Sequence, residues 1–352
     1  MPATDDVLLD VENLGVEFRT DEGRVHAVRG ISYQLRRGEV LGIVGESGSG
    51  KSVTSLALMG LLPRSARVSG SARFAGTELI GAPEAELRRV RGQGISMIFQ
   101  DPMTSLNPVY TVGYQVAEAI RAHHDVTRDA ARAQAVALLG KVSIPDPERR
   151  VDSYPHELSG GMRQRVVIAI AMANNPGVII ADEPTTALDV TVQAQVLEAL
   201  RAAKEQTGAS MVLITHDLGV IAGQADRVLV MYAGRVVEAG RVEDIFYTPR
   251  MPYTLGLLGS QPRLDERRQR LHPISGAPPS AIDMAPGCPF APRCPLAEPV
   301  CHAEEPPLAA VTTPARHPIG ANGQYSACHF SDKLDGLTPG DLFRPSSRDT
   351  EP

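Results

Sequence analysis

No stretch of this sequence is apolar for long enough to cross a bilayer. The longest uninterrupted apolar run, Val166 to Ala173, falls far short of the roughly 18–20 residues that a spanning helix needs. The start, Met1-Pro2-Ala3-Thr4-Asp5-Asp6, has neither the basic residues nor the apolar run of a secretory signal. A cytosolic chain is expected, touching a membrane only through a partner. A basic field is missing too: the net charge is −6, which argues against nucleic acid. Lysine is scarce, with four (Lys51, Lys141, Lys204, Lys333) against 31 arginines. Cysteine is equally scarce. All four cysteines lie between residues 288 and 328, and in a reducing compartment they favour metal ligation over disulfides. No segment repeats, which excludes a solenoid or two fused copies of one domain.

What is present suits one large domain with an appendage, or two domains: 352 residues, of which 43% are hydrophobic. Short runs rich in Val and Ile predict strands at Val7 to Phe18, Val40 to Val44, Ser96 to Phe99, Val178 to Ala181, Met211 to Thr215 and Val228 to Tyr232. Helical patterns lie between them at Lys51 to Leu62, Asp129 to Leu139, Gly161 to Ala173 and Val192 to Glu205. This alternation over residues 1–250 predicts an α/β domain with a largely parallel sheet. The mostly helical stretch from about 103 to 173 interrupts it and reads as an inserted subdomain. Prolines then accumulate (Pro249, Pro252, Pro262, Pro273, Pro278, Pro279, Pro286), marking a C-terminal extension over 251–332. Residues 333–352 are expected to form a disordered tail.

Three motifs carry chemistry. Gly45-Glu46-Ser47-Gly48-Ser49-Gly50-Lys51-Ser52 fits G-x-x-x-x-G-K-[ST] between a predicted strand and a helix that opens at Val53. Its small residues let backbone amides turn inward around phosphates, with a helix N-terminus behind them. Lys51 would reach the β- and γ-phosphates and the Ser52 hydroxyl would ligate Mg²⁺. Asp182-Glu183 ends an apolar strand at the carboxyl edge of the sheet. Asp182 would hold Mg²⁺ there and Glu183 would act as general base on water. Leu158-Ser159-Gly160-Gly161-Met162-Arg163-Gln164-Arg165 opens an apolar helix with exposed amides, either as a second anion site or as a plain serine N-cap.

The order of phosphate loop, Gln100, Leu158-Ser159-Gly160-Gly161, Asp182-Glu183, Ala187-Leu188-Asp189 and His216 resembles the ATP-binding subunit of ABC transporters over roughly residues 8–248. The resemblance implies a P-loop NTPase core and a bound ATP with Mg²⁺ held by Ser52, Gln100 and Asp182. It implies that Phe18, followed by a hairpin-like insert from Thr20 to Val25, stacks on adenine. Gln100 would approach the metal and the attacking water, and His216 would hold the γ-phosphate and position the water of Glu183. Ser159, Gly160, Gly161 and Asp189 would contact ATP bound to an opposite subunit, so that two subunits close on two ATP molecules and drive a permease. The partners implied are a second, related ATPase chain, two transmembrane permease subunits and an extracytoplasmic solute-binding protein, with this chain at the cytoplasmic face of the membrane.

The wording narrows further. Gln100-Asp101-Pro102-Met103-Thr104-Ser105-Leu106-Asn107-Pro108, Tyr154-Pro155-His156-Glu157 and Thr185-Thr186-Ala187-Leu188-Asp189-Val190-Thr191 are similar to the oligopeptide and dipeptide importer ATPases. So is Thr248-Pro249-Arg250-Met251-Pro252-Tyr253-Thr254, with Met251 where that group often has histidine. Nickel importers share much of this wording. Cys288, Cys294, Cys301 and Cys328 lack the C-x2-C spacing of most zinc folds, and four thiolates suit either Zn²⁺ or a [4Fe–4S] cluster. Free buried thiols are the third reading, and similar patterns in the importer group imply the cluster. A non-transport ABC ATPase would be expected to carry a long coiled coil or a second ATPase domain, and a purely regulatory module to lack Glu183 or His216.

Overall fold

A computed structural model describes residues 6–21, 23–186, 188–260, 273–282, 284–311 and 323–343. In chain order the strands are β1 (Val7–Thr20), β2 (Gly23–Arg36), β3 (Val40–Val44), β4 (Ala66–Phe74), β5 (Thr77–Glu78) and β6 (Ile95–Ile98). They continue with β7 (Val178–Asp182), β8 (Ser210–Thr215), β9 (Arg227–Tyr232), β10 (Arg235–Arg241), β11 (Ala309–Ala310) and β12 (Tyr325–Ser326). Among the described residues these form two sheets, ordered β2-β1-β4-β5 and β11-β12-β10-β9-β3-β8-β7-β6.

The larger sheet is parallel from β9 through β3, β8 and β7 to β6. Its central strands are buried on both faces, and the two-residue period divides their side chains between two cores. Val40, Ile179, Ala181, Met211 and Leu213 face one core, which the helices Gly160–Met172 and Val190–Thr207 help to fill. Leu41, Ile43, Val178, Ile180, Val212 and Ile214 face the other, closed by the antiparallel sheet and the helix Lys51–Leu58. That helix stops four residues short of the expected Leu62, because Gly60 turns left-handed with φ 60°. Between β6 and β7 the chain runs through the helices Pro102–Ser105, Val112–Arg121, Arg128–Lys141, Pro147–Arg150 and Gly160–Met172.

The insert expected after Phe18 is the turn of the β1–β2 hairpin: Thr20 pairs with Gly23 and Phe18 with Val25. The C-terminal extension is knitted to the larger sheet rather than hung from it. β12 pairs with β10 through Glu238 opposite Ser326, and the Ala327 amide donates to the Val237 carbonyl at 2.8 Å. The expectation of a disordered tail from residue 333 is corrected. Pro339–Leu342 is helical, with Leu342 and Phe343 buried, because these apolar side chains pack against the helix Pro252–Gly259. Residues 344–352 lie outside the described residues. No described helix is long and apolar enough to cross a membrane.

Candidate functional site

The phosphate loop leaves the carboxyl end of β3 and enters the helix Lys51–Leu58 through Gly50. Glycine is required at that junction: φ is +100°, and a Cβ would lie 2.4 Å from the Ala27 carbonyl. The turn brings the free amides of the first helical turn to one spot, where anions are stabilised. Lys51 is buried, and its Nζ donates to the carbonyls of Gly45 at 2.8 Å and Glu46 at 2.9 Å. Burial lowers its pKa; the carboxylates of Glu183, Asp182 and Glu46 oppose that effect. A cation held this way is matched to a polyanion.

Asp182 ends β7, two strands from the strand that feeds the loop, and Glu183 follows it directly. Ser52 Oγ donates to Asp182 Oδ1 at 2.9 Å, bringing together the hydroxyl and the carboxylate expected to share a cation. Burial raises the Asp182 pKa against the opposing Ser52 hydrogen bond and Lys51 charge, so a cation beside it would be favoured. Glu183 has left-handed backbone geometry, φ 45°, a conformation that costs a side chain other than glycine roughly 1–2 kcal/mol. Its amide donates to the Ile214 carbonyl at 2.8 Å, which fixes the strained turn to β8. One carboxylate oxygen, Oε2, then accepts from Gln100 Nε2 at 3.1 Å and Thr186 Oγ1 at 2.8 Å, with His216 Nδ1 at 3.4 Å. Thr186 carries no motif signal of its own beyond its place after Glu183, and sequence reasoning assigned it no role.

These groups converge. Phe18, Gly45, Glu46, Ser47, Gly48, Ser49, Gly50, Lys51, Ser52, Val53, Gln100, Glu183 and His216 line one cleft of about 730 Å³. Val25, Ala27, Leu257, Ser260 and Ala281 line it as well. The first two follow from the hairpin register. The last three belong to the extension, where no local pattern marks a residue as facing a ligand. Glu46 needs a finer description than membership in the cradle. Its amide donates to Tyr253 Oη at 2.8 Å, and its carboxylate is held by Arg293 at 2.7 and 2.9 Å.

Ser159, Gly160, Gly161 and Asp189 stand apart from the cleft lining. Ser159 caps the helix Gly160–Met172 by accepting from the Met162 amide, and Asp189 caps the helix Val190–Thr207 by accepting from the Val192 amide. The two caps are neighbours. A Cβ on Gly161 would meet Val192 Cγ1 at 2.3 Å, whereas one on Gly160 would only touch Leu188 at 3.8 Å. Gly161 is thus required by packing and Gly160 is not. Ala187 lies outside the described residues.

All four cysteines are free thiols. Burial, reinforced by the neighbouring cysteine sulfurs, pushes Cys294 up to about 11 and Cys328 up to about 12, and raises Cys288. Neither the cluster nor the zinc expected at these cysteines is shown: among the described residues no three His, Cys, Asp or Glu side chains stand close enough to hold one metal ion. Zinc bonds of about 2.3 Å demand tightly gathered sulfurs. Amides two residues ahead, those of Phe290, Leu296 and Phe330, hydrogen-bond the sulfurs of Cys288, Cys294 and Cys328.

Comparison with known proteins agrees with this geometry. The profile of the ABC transporter family matches residues 28–186, and that of the oligopeptide/dipeptide transporter C-terminal region matches residues 237–301. The dipeptide transport ATP-binding protein of Bacillus subtilis is 55% identical over 84% of this chain and 88% of its own length. The oligopeptide transport ATP-binding protein of Salmonella typhimurium is 51% identical, over 88% and 92%. That of Mycobacterium tuberculosis is 56% identical over 96% of this chain, which spans about half the length of the mycobacterial relative, 54%. Among solved structures, a dimeric ATP-binding cassette in a post-hydrolysis state bound to ADP and Pi shares 27% identity at a TM-score of 0.60. It covers 66% of this chain and 98% of its own. The chain belongs to the ATP-binding subunits of the ABC transporter family, in its oligopeptide/dipeptide branch.

Proposed function

We propose that this chain binds and hydrolyses ATP to energise the import of dipeptides or oligopeptides through a membrane permease, from the cytoplasmic face. The observation that carries the reading is the convergence on one cleft of a phosphate loop, a strand-end Glu183, Gln100 and His216. Loop amides and Lys51 bind the phosphates of ATP. Ser52, Asp182 and Gln100 hold Mg²⁺, which when bound neutralises charge on the transferred phosphoryl group. Glu183 takes the proton from the attacking water through the oxygen that Gln100 and Thr186 already orient. His216, beside that oxygen, bridges base and γ-phosphate.

Ser159, Gly160, Gly161 and Asp189 act on ATP bound to a second ATPase subunit. Their placement outside this chain's own cleft supports that reading. Two subunits then close on two nucleotides and reopen after hydrolysis, with each nucleotide state favouring one arrangement. Residues about 103–173 form the helical subdomain that meets the permease. The exposed Met103, Val109, Tyr110 and Tyr114, with the two tyrosine rings stacked at 4.7 Å, support that contact. Residues 251–332 form the importer-type extension, in which Cys288, Cys294, Cys301 and Cys328 hold a [4Fe–4S] cluster. The Phe330 amide, which donates to Cys328 Sγ at 3.4 Å, supports that reading. A solute-binding protein outside the membrane completes the system.

The test is co-purification with the permease, followed by ATPase assays with peptides and with nickel as the control solute. Stimulation by peptides alone is expected. Stimulation by nickel, or turnover indifferent to peptides, would overturn the transport assignment while leaving ATP hydrolysis intact. Anaerobic purification with iron and zinc analysis tests the cluster, and a colourless, iron-free protein would count against it.

A further inference from the structure

Arg293 lies inside the cysteine-bearing module, next to Cys294, yet its guanidinium is spent on the phosphate loop 247 positions away. Nη1 and Nη2 take the two oxygens of Glu46 at 2.7 and 2.9 Å, the fork geometry that makes arginine–carboxylate pairs strong and directional. Nε donates to the Ser275 carbonyl at 3.1 Å, and further contacts reach the Ile274 carbonyl and Tyr232 Oη. The head lies near the rings of Tyr232 and Phe290, which pack edge-on against each other. Only 5% of the Arg293 side chain is exposed, so its position is dictated by the module and the sheet together.

Glu46 is held from a second side by Tyr253, whose hydroxyl accepts its amide proton. Tyr253, Tyr232 and Phe290 form one aromatic cluster that joins the start of the extension, the end of β9 and the cysteine module. The carbonyls of Gly45 and Glu46 in turn receive the Lys51 ammonium. A continuous set of contacts thus runs from the module, through Arg293 and Glu46, to the lysine that meets the phosphates. A cradle for phosphate works only if its donors are placed before the ligand arrives.

Resting on the assignment of ATP to this cleft, we infer that Arg293 is a positioning residue for the phosphate loop, which makes nucleotide affinity depend on the cysteine-bearing module being folded against the ATPase sheet. The module has a second anchor that does not touch the loop. Glu305 pairs with Arg29 at 2.7 and 3.0 Å and with Arg235 at 2.9 Å, and this separates docking in general from the Arg293 route.

The experiment is titration of the full chain with ATP and Mg²⁺ in a Glu183→Gln background, with thiol accessibility of the module measured in parallel. Arg293→Met should raise the ATP Kd about tenfold, Arg293→Lys about threefold and Glu305→Gln less than about twofold. In the Glu183-containing permease complex, Arg293→Met should raise KM for ATP and leave kcat within about twofold, since the loss is in binding shared by ground and transition states. The double variant with Glu46→Gln should weaken ATP no further than the worse single variant. A Kd for Arg293→Met within twofold of the parent overturns the inference, as do additive effects with Glu46→Gln or an equal loss in Glu305→Gln. Should Arg293→Met fail to fold, Glu46→Gln alone reads the same pair, and unchanged affinity there is equally fatal. A parent that binds no ATP overturns the nucleotide assignment itself. A parent that binds normally, with variants to match, overturns only the role of Arg293.

Discussion

Raising the pH should loosen this protein through a single carboxyl group. Glu238 on β10 is fully buried, with 0% exposure, at the seam where β12 of the extension joins the sheet. Its Oε1 accepts from the Arg250 amide at 2.6 Å and from Gln324 Nε2 at 2.9 Å. The nearby Arg250 side chain is committed to Asp335 at 3.1 Å. Burial dominates, and against these hydrogen bonds it pushes the group from an ordinary 4.5 to about 7.

Between those values the folded protein keeps a proton that the unfolded chain has released. The folded state binds more protons, so stability falls as pH rises through the window and is fully lost above the folded value. At about 1.4 kcal/mol per pH unit the loss approaches about 3 kcal/mol, a large share of the roughly 5–15 kcal/mol that holds a domain together. Glu238→Gln imitates the protonated form. Urea midpoints at pH 5.5 and pH 8 should differ clearly in the parent and much less in Glu238→Gln, with the variant the more stable at pH 8. Comparing the two differences cancels every other titrating group. An equal pH dependence in both proteins would refute the reasoning.

Four further outcomes are expected. Glu183→Gln should slow ATP turnover by at least about 10²-fold and trap ATP-bound dimers on gel filtration; near-normal turnover would remove Glu183 from its role. Gly160→Ala should fold normally, since a Cβ there meets only Leu188 at 3.8 Å. It should leave ATP binding by the isolated chain intact and cut the assembled complex's turnover about tenfold, whereas weakened binding in isolation would place Gly160 in its own cleft. Gly50→Ala should abolish measurable ATP binding, because a Cβ 2.4 Å from the Ala27 carbonyl at φ +100° must displace the loop; binding within about tenfold of the parent would contradict that. Thr186→Val should lower kcat about tenfold with KM for ATP unchanged, as Glu183 Oε2 loses its 2.8 Å donor; a matching rise in KM would point to a disturbed fold instead.

The parallel strands were legible because burial on both faces leaves a simple trace: Val40 to Val44 and Val178 to Ala181 read as unbroken apolar runs. β2 and β4 left no such trace. Their exposed faces carry His26, Gln34, Arg67 and Arg73, and pairing with β1 rather than apolar content holds them extended. The helix Val112–Arg121 falls in the stretch expected to be mostly helical but has no readable bounds of its own, because its buried large side chains are only Val112, Val116 and Ile120, spaced four apart. In the extension, β11 and β12 are two residues each, too short for any period to show.

The site divides along the same line. Phosphate binding is written locally, because a strand, a glycine turn and a helix N-terminus are consecutive in the chain and Lys51 and Ser52 occupy the first helical turn. Gln100, Glu183 and His216 could be matched by motif order, yet their meeting at one carboxylate oxygen depends on β6, β7 and β8 lying side by side. Nothing local announces Leu257, Ser260 or Ala281 as walls of the cleft. Glu46 lines the cleft, and motif membership alone does not reveal what holds it there. Its position inside the phosphate loop suggests a contact with nucleotide, but its amide and carboxylate are committed to Tyr253 and Arg293. Within the G-x-x-x-x-G-K-[ST] pattern the second position is unspecified, and this chain uses that freedom to tie the loop to a part of the molecule that begins some 200 residues later.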